Sequence, residues 1–352
     1  MHITRAQLDE AAAHGLIAPA QGEALWAFLA ERSQHTPSFK PAHILYYLGG
    51  LIAMGAMTLF MTLGWERFGG RGLLQIALAY GLLAVALTEW LMRRPHLVLP
   101  AGITAALAVV MVPLAVYGAQ QALGWWPADG ASPSAYRDYH TRIDWRWLFM
   151  ELATLAAAAV ALWRYQRPFL MLPLSVTLWY LSMDLTPLLF GGQAASVHSP
   201  EGKWVSVGFG LAMVAAALWV ELRSRRSLDF AFWLYGFGVL TFWGGLTAMD
   251  SDNEWGKFVY ACINLLLIAV GAALSRRVFA VFGGMGVAIY LGHLSHTVFK
   301  DSLLFPVALT AIGLGVVAAG VVWQRHEAAL GQRLRAALPP PLRDLLARRA
   351  AV

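Results

Sequence analysis

The sequence predicts an all-α membrane protein, a polytopic bundle of about ten transmembrane helices preceded by a small cytoplasmic pair of helices. Three observations support this fold class: the composition, a series of long apolar segments, and the placement of the basic residues. Hydrophobic residues make up 59% of the 352 residues and charged residues 13%, whereas a soluble domain has about 45–50% apolar and about 25% charged residues. We therefore expect the excess apolar side chains to face the lipid of a membrane.

Residues 1–41 are polar and amphipathic, and they contain no basic region followed by a short apolar core, so no secretory signal is expected. Thr4 can cap a first helix, Gly15 suits its end, and Pro19 fits the first turn of a second. A helix pair of this kind resembles a DNA-binding helix-turn-helix. Its second helix, however, carries only one basic residue, Arg32 near its end, to contact phosphates, so nucleic acid is not expected as a partner. We expect a module that docks a cytoplasmic partner or a second copy of the chain.

Long apolar segments follow from residue 42 to residue 323, which we assign as the transmembrane domain. A spanning helix needs roughly 20 mostly apolar residues. The ninth segment contains several glycines and two histidines, which lower its helix propensity and hydrophobicity. The ten predicted spans are 42–64, 73–92, 97–123, 147–163, 168–190, 204–222, 230–249, 258–275, 278–299 and 302–323.

The basic residues test this count independently of hydropathy. If the N-terminus is cytoplasmic, 18 of the 26 lysines and arginines fall in cytoplasmic segments and 8 in outward ones. Because cytoplasmic loops are enriched in Lys and Arg, we predict an inner-membrane protein with both termini in the cytoplasm. Glu89 and Glu221 lie near predicted cytoplasmic helix ends, and we expect interfacial ion pairs with Arg93 and Arg223 respectively.

Two segments outside the spans are also of interest. The longest outward loop, 124–146, is long enough for a lid or partner site, or for disorder. The tail 324–352 is basic and is broken by three prolines from Pro339 to Pro341. Its leucines and arginines suit a short helix that lies on the anionic headgroups of the bilayer.

Polar residues inside the spans are the candidate functional residues, because a charge at mid-membrane costs on the order of 3 kcal/mol. Glu151 and Asp184 are the deepest acids, and counting 1.5 Å per residue from the outer ends of their spans gives both the same depth. The same count assigns Asn264 and His293 to this outer layer. We therefore predict an outward-facing polar pocket that binds a substrate or protons.

Pro187 strengthens this prediction, because its missing N–H leaves the carbonyl of Met183 without a helical partner beside Asp184. Interrupted helices next to acids build ion and substrate sites in many transporters. The structural alternative is that these polar residues reach headgroups, or that the acids pair with Arg146 at the rim.

Other chemistry has little support. The sequence contains no phosphate-binding loop, nucleophile elbow or zinc-protease helix, so no catalytic or cofactor-binding residue is assigned, and an enzyme is disfavoured but not excluded. His293 and His296 are three residues apart with no third ligand nearby, so no metal site is assigned. Gly236 and Gly238 lie inside a span, and we interpret them as helix-packing positions. Cys262, the only cysteine, is interpreted as a small core residue.

Two stretches carry a resemblance to a known family. They are Leu8, Gly15-Leu16-Ile17 and Gln21 in the helical start, and Tyr46-Tyr47-Leu48-Gly49-Gly50 at the opening of the first span. The first 70 residues resemble a family of bacterial predicted multi-pass membrane proteins of unknown function, in which a short helical domain precedes a long hydrophobic region. The resemblance implies an inner-membrane location and no established activity.

Two function classes remain open from the sequence. The first is a secondary transporter of a small solute or lipid-related substrate, in which the outer polar layer binds the substrate or protons. The alternative is a non-transporting membrane scaffold or regulator, whose N-terminal helices and basic tail dock cytoplasmic partners. Ten spans with two cytoplasmic ends suit a secondary carrier, although a fold analogy is weak support.

Overall fold

A computed structural model describes residues 5–33, 41–94, 97–125, 145–190, 199–223, 228–249, 253–274 and 276–295, and a few positions between 306 and 318. Most of the predicted loop 124–146, nearly all of the tenth predicted span and the whole tail 324–352 lie outside the described residues. The described chain is helical throughout its regular structure.

The N-terminal segment contains two contacting helices, α1 (Arg5–Ala13) and α2 (Pro19–Ser33). Gln21 accepts a hydrogen bond from the backbone N–H of Ala18 at 3.0 Å, which satisfies one of the donors that a helix start leaves free. Leu8 of α1 is buried and lies beside Gly22 of α2.

Helix α3 (Pro41–Met92) is two helical arms joined at Gly69, whose φ of 60° and ψ of 176° are outside the helical region. A Cβ on Gly50 of the first arm would touch Ile103, while Thr88 of the second arm hydrogen-bonds Thr104 at 2.9 Å. Ile103 and Thr104 are adjacent on α4, so positions 50 and 88 lie at the same level of the bundle. The chain therefore reverses its direction between them, at Gly69. A positive φ of this kind favours glycine, and it replaces the loop expected between residues 64 and 73.

The next three helices continue this up-and-down course. Arg167 precedes Pro168 and is extended, with φ −107° and ψ 130°, because the proline ring disfavours a helical residue before it. A short 3-10 turn, Pro168–Leu170, then leads directly into the next helix. The helices are α4 (Val98–Ala122), α5 (Trp145–Tyr165) and α6 (Met171–Phe190).

The last four helices form two closely packed hairpins, α7 with α8 and α9 with α10. A Cβ on Gly245 of α8 would come within 2.9 Å of Ser206 on α7, and one on Gly283 of α10 would come within 2.8 Å of Ile268 on α9. Small residues let helix backbones approach in this way. The helices are α7 (Pro200–Arg223), α8 (Phe232–Ala248), α9 (Glu254–Leu274) and α10 (Arg277–His293).

The two glycines that we assigned to packing differ. Gly238 faces α7, where a Cβ would meet Met213 and Val214 at 3.0 Å, but a Cβ on Gly236 would have no atom within 4 Å. Cys262 is exposed on α9, so its assignment to the core is wrong. Both errors have one cause: a helix that is apolar all round does not reveal in its sequence which face meets protein and which meets lipid.

Within the described chain, six helices are long and apolar enough to cross a membrane, which identifies a multi-pass membrane protein. Helices α8 and α10 have 17 residues each. Each of the first nine predicted spans overlaps a helix or a helical arm of the described chain. The ten-span count stays a prediction. The six helices are Phe68–Met92, Val98–Ala122, Trp145–Tyr165, Pro168–Phe190, Pro200–Arg223 and Glu254–Leu274.

Candidate functional site

Glu151 and Asp184 lie on the neighbouring helices α5 and α6, and their carboxyl groups are close enough to interact electrostatically. We call these two residues the acid pair. Glu151 is six residues from the start of α5 and Asp184 six residues from the end of α6, or about 9 Å in each case. Glu151 is only 8% exposed. The link of a few residues between α5 and α6 makes the two helices antiparallel, which brings the two acids to one level.

Helix α4 adds buried polar groups next to the start of α5. The Gln120 side chain is 1% exposed and donates from Nε2 to the backbone carbonyl of Arg146 at 3.2 Å. Tyr117, one turn earlier, is buried in the same apolar cluster as Met150. Neither residue was predicted from the sequence, although an uncharged polar residue inside an otherwise apolar span was the available signal.

Several polar atoms of this region have no hydrogen-bond partner among the described residues: Oε2 of Glu151, Oε1 of Gln120 and Oγ1 of Thr186. Thr186 is completely buried and lies two residues after Asp184. Most buried polar groups in proteins are satisfied, so these exceptions need an explanation.

Pro187 lies inside α6, three residues after Asp184. Its ring removes the N–H that would bond the carbonyl of Met183, as the sequence predicted. The helix beside the acid pair therefore has one backbone bond fewer than a regular helix, and this is where α6 can bend at the lowest cost.

Asn264 has a different environment from the acid pair. It is completely buried, accepts a hydrogen bond from Nε1 of Trp243 on α8 at 3.1 Å, and donates to the carbonyl of Tyr260 at 2.8 Å. Its side chain also lies against Gly286 of α10, where a Cβ would overlap it. Asn264 thus joins three helices with its hydrogen bonds made, which explains its burial without a ligand.

His293 is the last residue of α10, and its Nε2 lies 3.1 Å from Oε1 of Glu254, the first residue of α9. Gly286, which packs against Asn264, is seven residues earlier, about 10 Å along the helix. His293 and Asn264 therefore do not share a layer. The count failed for Asn264 because α9 begins at Glu254, before residue 258, where Asn253 accepts a hydrogen bond from the N–H of Gly256.

The opposite end of the bundle carries most of the described arginines of helices α3–α10, and we call it the arginine end. Arg276, in the link between α9 and α10, pairs with Glu221 at 2.5 Å and with Asp229, and it lies over the ring of Tyr235. Tyr235 also donates to Glu221 at 2.8 Å. The described arginines of this end are Arg93, Arg94, Arg164, Arg167, Arg223, Arg276 and Arg277.

The expected ion pairs of Glu89 and Glu221 do form, but with other arginines. Glu89 pairs with Arg164 of α5 at 3.0 Å instead of Arg93, and Glu221 pairs with Arg276 instead of Arg223. Arg223 lies over the ring of Trp219, one turn before it. The pairs thus link different hairpins, which sequence proximity does not reveal.

In the part of the chain that the structure describes, no three His, Cys, Asp or Glu side chains lie close enough to hold a metal ion. Comparison with known proteins gives no match to a family model, a curated protein or a solved structure.

Proposed function

We propose that this membrane protein is a secondary carrier that couples the movement of a small solute to protons, with the acid pair as its proton-binding site. The observation that carries the proposal is the contact between the Glu151 and Asp184 carboxyl groups within the apolar bundle. Asn264 and His293 are not part of this proposed site, because their hydrogen bonds go to other helices.

Two carboxyl groups in contact need a proton between them. The Glu151 and Asp184 carboxyl groups lie close together. An ionised carboxylate only accepts hydrogen bonds, so two carboxyl groups can hydrogen-bond each other only when one of them is protonated. Two adjacent negative charges would also be costly in a site that is largely closed to water. The acid pair is therefore suited to bind one proton and to release it when its surroundings become more hydrated.

The neighbours of the acid pair favour movement and ligand binding over a purely structural role. Oε2 of Glu151, Oε1 of Gln120 and Oγ1 of Thr186 are free to accept hydrogen bonds among the described residues. Pro187 weakens α6 next to Asp184. A solute with hydroxyl, amine or amide donors could bond these acceptors, and its arrival would compete with the shared proton.

The orientation that we propose has both termini in the cytoplasm of an inner membrane, with the arginine end inside. The gathering of seven described arginines at one end agrees with the enrichment of basic residues in cytoplasmic loops. The acid pair would then lie near the outer surface and open outwards.

Infrared spectroscopy of the reconstituted protein tests the proton site directly. At neutral pH the wild-type protein should show the C=O stretch of a protonated carboxylic acid, and both Glu151→Gln and Asp184→Asn should remove it. Glu201→Gln is the matched control, because Glu201 is an exposed acid at the start of α7. If the band is absent in the wild type, or persists in both variants, the acid pair does not hold a proton.

Coupled transport is tested in proteoliposomes that contain a pH-sensitive dye. A panel of sugars, amines, amino acids and lipid precursors is added outside, and the internal pH is followed. A solute that acidifies the lumen in the wild type and in Glu201→Gln, but not in Glu151→Gln, supports the proposal. An equal proton flux in Glu151→Gln contradicts it.

The alternative function, a scaffold or regulator, has one observation in its favour. Leu16, Leu25 and Phe28 are exposed hydrophobic residues on and beside α1 and α2, with Leu16 78% exposed. Such side chains suit docking of a cytoplasmic partner or a second copy. Removal of residues 1–33 distinguishes the two functions, since a carrier retains its proton-linked flux and a scaffold loses its partner.

A further inference from the structure

Arg167 is a half-buried cation at the arginine end whose hydrogen bonds go to a sulfur atom. Its Nε and Nη2 donate to Sδ of Met92 at 3.4 and 3.1 Å. A thioether is a weak acceptor. Within the described part of the chain no carboxylate pairs with Arg167, whereas Arg164, one turn earlier, pairs with Glu89 at 3.0 Å.

The backbone holds Arg167 in this place. Pro168 keeps it extended at the end of α5, and Gly102 of α4 lies close enough that a Cβ there would be 3.5 Å from Cβ of Arg167. The guanidinium therefore lies between the ends of α3 and α4 and the link from α5 to α6. Burial lowers the pKa of Arg167, which reflects the cost of keeping this cation from water.

The surroundings of Arg167 indicate which class of ligand would bind to it. Trp90 and Trp163 are exposed at the same end, 47% and 80%, and exposed tryptophans mark the level of the lipid headgroups. Arg93 and Arg94 are exposed at the end of α3, and the Arg94 guanidinium lies 4.2 Å from the ring of Trp90. Arg167 thus lies at the end of the bundle that carries exposed tryptophans, where lipid phosphates are abundant, and further arginines lie at the same end.

We propose that Arg167 is the centre of a binding site for the phosphate of an anionic lipid headgroup, with Arg93, the residue after Met92, as a second cation. A guanidinium matches phosphate oxygens with two parallel hydrogen bonds, which Met92 cannot provide. Basic clefts between transmembrane helices suit such headgroups. This site is independent of the acid pair, which lies towards the opposite end of the bundle.

The test is lipid binding to the purified full-length protein, followed by native mass spectrometry and by the melting midpoint. Three probes are compared at equal concentration: phosphatidylglycerol, phosphatidylcholine and inorganic phosphate. We expect phosphatidylglycerol alone to bind and to raise the melting midpoint of the wild type. Arg167→Gln should weaken its binding about tenfold or more, because a hydrogen-bonded charge pair is lost.

Arg164→Gln is the matched control, since it removes an arginine of the same end that already has a partner. It should lower the melting midpoint without lipid yet keep the increment from phosphatidylglycerol. If Arg167→Gln does not fold, Arg167→Lys decides. That variant keeps the charge but not the two parallel bonds, and its affinity for phosphatidylglycerol should fall at least about threefold.

Three results would overturn the proposal. The first is an unchanged affinity for phosphatidylglycerol in Arg167→Gln, or in Arg167→Lys if Arg167→Gln is unstable. That result would mean that the lipid binds at another site. Another is an equal effect of phosphatidylcholine, which would exclude recognition of the net negative headgroup. The third is an equal shift with inorganic phosphate, which would make the ligand a free anion instead of a lipid.

Discussion

Helices α4–α6 and helices α7–α10 both bury polar side chains, but the two regions differ in how many of the buried polar atoms have hydrogen-bond partners. In α7–α10 the buried Asn264 donates and accepts, and Arg276 binds two carboxylates and a tyrosine ring. In α4–α6 the Glu151, Gln120 and Thr186 side chains each have an oxygen without a partner among the described residues. Arg276 also has one buried nitrogen, Nε, without a partner among the described residues, but its other nitrogens join helices. The second region leaves more of its buried polar atoms without partners.

The glycines explain how α7–α10 satisfies its polar groups. Gly210 lies directly against the backbone of Phe242, and Gly286 lies against Asn264. Backbones this close bring side chains from three helices within hydrogen-bonding distance. We infer that α7–α10 is a rigid support, while α4–α6 is the region that responds to a ligand.

The largest expected effect in the support is the loss of Arg276. Arg276→Gln leaves Glu221 buried without its cation, since the two side chains are only 14% and 9% exposed. Breaking a buried pair by removing one partner costs about 3 to 5 kcal/mol. Denaturant titration in micelles should show this loss in the free energy of unfolding. Arg277→Gln, at the exposed neighbour, should change it little, and equal effects of both variants would remove the distinction.

The next effect concerns helix packing between α7 and α8. Gly210→Ala places a methyl group against the backbone of Phe242, which cannot move aside as a flexible side chain can. The expected cost is about 1 to 3 kcal/mol. Gly236→Ala, on the open side of α8, should instead be neutral or gain up to about 1 kcal/mol from helix propensity. Destabilisation by both substitutions would contradict the assignment of faces.

Much of this fold can be predicted from the sequence. The length of the apolar segments indicates the helices, the prolines mark helix ends, and short links make consecutive helices antiparallel. The acid pair follows too: a short link makes α5 and α6 antiparallel, and residue counting then equates the depths of Glu151 and Asp184. The partner of Glu221 does not follow, because Arg276 is distant in sequence. Nor does the level of Asn264, since a helix start that shifts from residue 258 to Glu254 moves a side chain by about 6 Å relative to the helix end.

A smaller effect tests the hydrogen bond that joins α8 to α9. Trp243→Phe keeps most of the ring that packs 5.4 Å from Phe282 but removes the donor to Asn264. The buried amide oxygen then lacks that bond, and the expected loss is about 1 kcal/mol, as for other hydrogen bonds between membrane helices. Trp255→Phe, at a 71% exposed position on α9, is the control and should have almost no effect on the unfolding free energy.

The smallest effect on stability is expected for the acid pair, and it completes the comparison. Glu151→Gln keeps the size of the side chain and removes one of two adjacent acids. At neutral pH the free energy of unfolding should therefore fall by less than about 0.5 kcal/mol, or it should rise. The pH dependence should change more. If the folded pair holds a proton that both acids lose on unfolding, the folded state binds more protons, and stability falls as the pH rises, by up to about 1.4 kcal/mol per pH unit. Glu151→Gln should flatten this slope, whereas Trp243→Phe should lower the whole curve without changing its slope. A wild-type curve that is already flat across the neutral range would mean that the pair holds no proton, and α4–α6 would then be a structural region like α7–α10.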